Sequence, residues 1–273
     1  MKILFCGDIV GKAGRAAIAK YVPTLKKELQ LDLVIANGEN AAHGFGITPK
    51  IYHELINNGV DVLTLGNHYL DQPIIASYLD QKSNIVRPIN TSSSLGKGYT
   101  IIKVNNLTIL IINIMGQLFM KEGIESPFIT IDNLLQKFKL KENVDIIIVD
   151  MHAEATSEKN ALFLYLDGKV TAVFGTHTHI PTLDYRVLPK GTAVQTDVGM
   201  CGDYNGVVGM EYEGSLSRFL KSNDNKDKPK KLEPATKSVT LCANLIEIND
   251  TTGLVNKITP IVLGDTLKKH YLT

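Results

Sequence analysis

Apolar runs of strand length recur along this chain and alternate with stretches of helical periodicity. Lys2 to Cys6, Leu33 to Ala36 and Val60 to Leu65 read as buried strands, because short continuous apolar runs suit strands covered on both faces. Lys12 to Leu29 has helical spacing with a kink expected at Pro23. Thr48 is placed to cap a helix that starts at Pro49 and ends at Gly59, and Gln72 to Leu79 forms the next helical stretch. In the middle of the chain, Tyr99 to Val104 and Leu107 to Ile114 flank Asn105-Asn106, a hairpin signal. Helix Ile131 to Leu140, strand Val144 to Val149, helix Ser157 to Leu166 and strand Val170 to Phe174 follow in alternation. Beyond Ile180 the pattern turns β-rich, with Tyr185 to Leu188 and Thr192 to Thr196 around Pro189-Lys190-Gly191, and Leu241 to Ile248 and Leu254 to Val262 as a last hairpin. The polar stretch Lys221 to Pro234 reads as a solvated loop. The predicted fold class is α/β, a single domain over residues 1–273 with mixed central β-sheets flanked by helices.

Composition narrows the functional classes. With 29 Lys+Arg against 28 Asp+Glu the net charge is +1, which speaks against a general polyanion-binding surface. The 22 glycines and 10 prolines in 273 residues are too few for a low-complexity or fibrous chain. Cys6, Cys201 and Cys242 lie far apart without a CxxC spacing, so neither a disulfide framework nor a thiolate zinc site is predicted. The run Ile3 to Cys6 is too short for a signal-peptide core, and no stretch approaches the roughly 20 apolar residues of a membrane span. A cytoplasmic protein without a membrane partner is expected.

The chemistry collects at strand ends. In open α/β sheets, functional groups gather beyond the carboxyl ends of the strands. Here those positions hold Asp8, Gly38-Glu39-Asn40, Gly66-Asn67-His68, Asp150 with His152, and Gly175-Thr176-His177-Thr178-His179. Four of the seven histidines sit in these segments, which makes coincidence a poor account of the pattern. Carboxylate, amide and imidazole donors without sulfur suit divalent Mn, Fe, Co or Zn. Two such ions about 3.5–4 Å apart need a bridging carboxylate, a role open to Glu39 or Asp8. With no third carboxylate the site stays cationic and attracts an anionic substrate such as a phosphate ester. Other motifs fall short: Gly7, Gly11 and Lys12 imitate a phosphate-binding loop without its spacing, and no GxSxG elbow is present.

Asp8, Gly38-Glu39-Asn40, Gly66-Asn67-His68, His152 and Gly175 to His179 resemble, in order and spacing, the calcineurin-like metallophosphoesterases. Val10 stands where the usual Asp-x-His has its histidine, and Glu39 replaces the usual aspartate. Those departures, with His152 to Lys159 and Thr196-Asp197-Val198-Gly199-Met200, are similar to the YmdB-like phosphodiesterase subfamily over nearly the whole chain. The resemblance implies a four-layer α/β/β/α sandwich. It implies two divalent ions, Fe or Mn before Zn, Co or Mg. Asp8, Glu39 and His179, with Asn40 as ligand or close neighbour, would hold one; Glu39, Asn67, His152 and His177 would hold the other. His68 would face the substrate as general acid or phosphate contact. The implied reaction is phosphodiester hydrolysis by a metal-bridging hydroxide, on cyclic nucleotides including 2′,3′-cyclic ones or on RNA-derived diesters. A homo-oligomer and a connection with RNA turnover are implied as well. A metal-binding regulatory protein with incidental hydrolysis and a phosphomonoesterase or nucleotidase remain the alternatives. Asp150 and Glu154 are candidates to orient the ligand imidazoles.

Overall fold

A computed structural model describes residues 1–120, 123–220 and 230–271. Its elements run β1 (Lys2–Ile9), α1 (Gly11–Glu28), β2 (Leu33–Asn37), α2 (Pro49–Asn57), β3 (Val62–Thr64), α3 (Ala76–Gln81), β4 (Ile85–Val86), β5 (Tyr99–Val104) and β6 (Leu107–Met115). They continue with α4 (Pro127–Leu135), β7 (Ile146–His152), α5 (Thr156–Leu166), β8 (Ala172–Thr176), β9 (Arg186–Val187), β10 (Ala193–Gln195), β11 (Met200–Cys201), α6 (Tyr212–Phe219), β12 (Leu241–Ile248) and β13 (Val255–Leu263).

The strands form two mixed sheets. One has the order β13-β12-β1-β2-β3-β4, with β11 added in parallel to β1; the other has the order β5-β6-β7-β8-β10-β9. In each sheet the central strands are parallel and antiparallel strands lie at an edge. Their facing surfaces share an apolar layer of Ile3, Phe5 and Ile35 against Ile111, Ile148 and Phe174. Ile18, Val22 and Leu55 of α1 and α2 cover the outer face of the first sheet, and Ile131, Leu162 and Phe163 of α4 and α5 cover that of the second. This is the four-layer α/β/β/α sandwich expected. Strands buried on both faces explain why they read as unbroken apolar runs rather than alternating ones.

Several local expectations hold and some shift. The Thr48 hydroxyl accepts from the Ile51 N–H as an N-cap, and Gly59 leaves α2 with φ +97. Asn105 and Asn106 turn the β5–β6 hairpin with positive φ. Pro23 lies inside α1 without ending it. The helix expected over Ile131 to Leu140 instead spans Pro127–Leu135, because Ser126-Pro127 starts it a turn earlier. β4, β11 and α6 have no counterpart among the expected elements; the first two have two residues each, too short to show a period. Of the expected loop Lys221 to Pro234, residues 221–229 lie outside the described part. No helix among the described residues is long and apolar enough to cross a membrane.

Candidate metal centre

The carboxyl ends of the parallel strands of both sheets meet at one edge, and the polar strand-end residues converge there. Asp8 and His152 are among the last residues of β1 and β7 rather than in the loops beyond them, and both are fully buried. Glycines permit the approach: a side chain at Gly66 would collide with Glu39 Oε2 and His152 Nε2, and one at Gly175 with the Thr196 carbonyl.

His152 Nε2 lies 2.9 Å from Asn67 Oδ1, 3.1 Å from Glu39 Oε1 and 3.1 Å from His177 Nδ1. Ligand atoms of Glu39, His152 and His177 all lie within 4.8 Å of one another. A second group adjoins it. His179 Nε2 is 4.0 Å from Asp8 Oδ1 and 3.1 Å from Asn40 Nδ2, and that amide donates to Glu39 Oε1 over 3.0 Å. All seven residues expected to hold metal are therefore in one cluster. His68 borders it, donating its backbone N–H to Glu39 Oε2 over 2.9 Å, with its Nδ1 2.6 Å from Asp71 Oδ2.

Each histidine is anchored through one ring nitrogen and presents the other inward. His152 Nδ1 meets Thr176 Oγ1 at 2.9 Å, and that hydroxyl donates to Asp150 Oδ1 over 2.7 Å. Asp150 thus orients His152 through Thr176 and not by direct contact. Burial raises the Asp150 carboxyl against the pull of His152, while Thr64 and Asn37 also donate to it. His177 Nε2 lies 3.3 Å from Glu154 Oε2, and His179 Nδ1 donates to the Val208 carbonyl over 2.8 Å. An acceptor at one nitrogen leaves the other ring nitrogen free to coordinate. His177, His179 and Val208 have φ of +103, +67 and +46, strained values for residues with a Cβ and most of all for a β-branched one.

The donor set fits divalent cations. Two of the five buried polar side-chain atoms without a hydrogen-bond partner among the described residues are Asp8 Oδ1 and Asn40 Oδ1. Burying a bare carboxylate oxygen beside neutral imidazoles costs several kcal/mol unless a positive charge joins it. Asp8 keeps its other oxygen bonded to the His177 N–H at 3.1 Å, so the unpaired one is held in place.

Without cations, protons take their part. Burial opposes charge on His152, but Glu39, Asp8 and Asp150 outweigh it and raise the imidazole from 6.5 to about 9. Burial raises the Asp8 carboxyl from 3.8 to about 7 against His179 and His152. Glu39 is buried too, yet His152 and the His68 N–H bring it down to about 2. Burial and the neighbouring His152 push His177 down to about 3. A folded-state pKa above the unfolded one stabilises below the unfolded value and ceases to do so as pH rises through the folded value. The His152 contribution is thus complete below 6.5 and gone above about 9, and that of Asp8 is lost by about 7. Metal-stripped protein should therefore lose roughly 5–10 °C of Tm between pH 6.5 and 9. Protein loaded with Mn²⁺ should lose less, since coordination needs the deprotonated imidazole. Melts of both forms at the two pH values check this, and an equal loss would contradict it.

Three supporting features carry little or no signal in the sequence pattern used above. Thr176 stands out there only as part of a loop motif, and the second feature, the pair Asn37 and Thr64 that donates to Asp150, not at all. The third is Lys159, fully buried, whose Nζ donates to the Thr176 carbonyl over 2.9 Å and to Asp197 Oδ2 over 3.1 Å. Asp197 also accepts the N–H groups of Thr178 and Gly199, so this pair ties down the loop that carries His177 and His179. A legible signal exists for the lysine: Lys159 stands in the apolar helical stripe with Leu162, Phe163 and Leu166. Replacing Thr176 with valine should weaken metal binding roughly 10–100-fold while leaving the fold intact, as checked by metal titration and circular dichroism.

Two face-to-face mixed sheets with a dense carboxylate, amide and imidazole cluster at their carboxyl edge define a metallophosphoesterase-type fold with a candidate metal centre. A family model described as YmdB-like protein matches residues 4–261, and the chain belongs to that family. It is 44% identical over 266 residues to a 2′,3′-cyclic-nucleotide 2′-phosphodiesterase of Bacillus subtilis (strain 168), covering 97% of this chain and 98% of that protein. Among solved structures, a hypothetical protein from Thermus thermophilus is 39% identical with a TM-score of 0.88, covering 97% of this chain and 100% of that one. A phosphatase from Mycoplasma pneumoniae is 36% identical with a TM-score of 0.89, covering 97% and 93%.

Proposed function

We propose that this chain is a metal-dependent phosphodiesterase that opens 2′,3′-cyclic nucleotides at the 2′ ester. The observation that carries this reading is the cluster itself: seven donor residues in one place, two of them with a buried oxygen left unpaired. The name of the B. subtilis relative supports the substrate class.

On this reading Glu39, Asn67, His152 and His177 would hold one divalent ion, and Asp8, Asn40 and His179 would hold a second, with Glu39 available to both. Iron and manganese suit this mixed oxygen and nitrogen set. Such a pair, when bound, lowers the pKa of a water and neutralises charge on the phosphoryl oxygens. The protein's own residues do the rest. Thr176, Glu154 and the Val208 carbonyl keep the three imidazoles aimed inward. Val10, buried where the wider superfamily has a histidine, puts an apolar wall on the cleft that also contains Glu39 and His68. His68 keeps its Nδ1 on Asp71 and its ring edge-on to Phe45, with centroids 5.1 Å apart. From there it donates a proton to the departing 2′ oxygen, which is otherwise a poor leaving group.

The test is turnover of adenosine 2′,3′-cyclic phosphate with added Mn²⁺, with product identity read by chromatography. Adenosine 3′-phosphate is the expected product, and His68→Ala should lower kcat by roughly 10²–10⁴-fold. A protein that hydrolyses phosphomonoesters in preference, or that keeps full activity without His68, would overturn the assignment.

A further inference from the structure

The cleft at the metal centre encloses about 220 Å³, less than the roughly 300–1,000 Å³ usual for small-molecule sites. A second cleft of about 310 Å³ adjoins it, with Phe45 and Leu232 lining both and His43, Arg218, Lys231 and Glu233 lining the second alone.

The shared wall is built rather than loose. The Phe45 carbonyl accepts from Gln72 Nε2 over 2.9 Å. A side chain at Gly44 would press on Met210, and one at Gly11 on Pro234, so the 41–46 loop lies tightly against the segments that frame both clefts. On the far side the Lys230 N–H donates to Ser217 Oγ over 3.0 Å, and the Glu211 N–H to the Glu233 carbonyl over 2.7 Å. Arg218 on α6 and Lys231 therefore share one scaffold. Among the described residues, the charged and titratable groups facing the cleft are His43, Arg218, Lys231 and Glu233, and Glu233 lies 2.8 Å from Lys231. The guanidinium of Arg218 remains as the cation not matched by that carboxylate. In a chain of net charge +1, cations next to an aromatic ring at the mouth of a phosphate-directed cleft form a local feature and not a general basic surface.

We propose that this second cleft is a subsite for the nucleotide preceding the cyclic end, with Phe45 offering a face to a base and Arg218, aided by Lys231, engaging the next phosphate. The preferred substrate is then a short RNA ending in a 2′,3′-cyclic phosphate rather than a free cyclic mononucleotide. This rests on the phosphodiesterase reading. An aromatic platform beside a cation is the general means of holding single-stranded nucleic acid, and a planar guanidinium matches phosphate geometry.

Two measurements test it. The first compares kcat/KM for uridylyl-adenosine 2′,3′-cyclic phosphate with that for adenosine 2′,3′-cyclic phosphate. The dinucleotide should be favoured about tenfold, and the ratio should fall towards one in Arg218→Glu and in Phe45→Ala. Lys139→Glu, an exposed charge change beside α4, should leave the ratio as in the wild type. A wild-type ratio near one, or a ratio unchanged by Arg218→Glu, overturns the subsite.

The second measures binding of fluorescein-labelled uridylyl-adenosine 3′-phosphate to metal-stripped protein across a salt series. Wild type should bind about tenfold more tightly than Arg218→Glu, and its affinity should fall more steeply with added salt. Equal affinity and slope overturn the proposal. If the wild type hydrolyses no cyclic phosphate at all, the phosphodiesterase reading fails, and Arg218-dependent binding still decides the subsite.

Discussion

Glu39→Gln is expected to lower kcat on adenosine 2′,3′-cyclic phosphate by at least about a thousandfold and to reduce bound metal below that of the wild type. The substitution keeps the volume and removes the charge. Both carboxylate oxygens are engaged: Oε1 faces the Asn40 amide at 3.0 Å and His152 Nε2 at 3.1 Å, and Oε2 accepts the His68 N–H. A glutamine has one acceptor and one NH₂ donor, so one end must set a donor against a donor. Glu39 is also the largest of the influences raising His152, so that imidazole should lose its proton more readily in the metal-free variant. Steady-state kinetics with metal analysis on the same preparation reads both effects. Activity within about tenfold of wild type with the full metal complement would rule out Glu39 as the shared ligand.

The largest stability effect should come from Lys159→Met, about 3–5 kcal/mol in urea denaturation. Methionine fills much of the space but leaves the Asp197 carboxylate buried without its counter-charge and the Thr176 carbonyl without its donor. Breaking one half of a buried pair costs more than exchanging both partners for apolar groups. The double variant with Asp197→Leu should therefore regain part of the loss, although the Thr178 and Gly199 N–H groups lose their acceptor. Lys159→Met should also weaken metal binding, because the loop bearing His177 and His179 is tethered through this pair. A single variant as stable as the wild type would contradict the account.

The geometry of the cluster also bears on the two places where this sequence departs from the calcineurin-like pattern it resembles. Glu39 is one methylene longer than the usual aspartate, and its oxygens reach both His152 and the His68 backbone. Asn40, next in sequence, sits between Glu39 and His179 with a buried oxygen unpaired, in the same cluster that Val10 borders without a polar atom.

Much of this molecule is legible in the linear order of residues. Continuous apolar runs mark the central strands because sheets buried on both faces leave no polar side to alternate, and the β12–β13 hairpin is marked by Asp250 to Gly253 as its turn. Glycine next to Asp8, Asn67 and the His177 loop marks the cluster, since only glycine lets strands and side chains come so close. Tertiary structure alone decided the rest. That Asp150 works through Thr176, that Val208 offers its carbonyl to His179, and that Arg218 shares a wall with Phe45 all depend on residues far apart in sequence. Such partnerships carry no periodicity, because hydrogen bonds and shared walls across long separations are set by how the two sheets and α6 come together and not by any local preference of the chain.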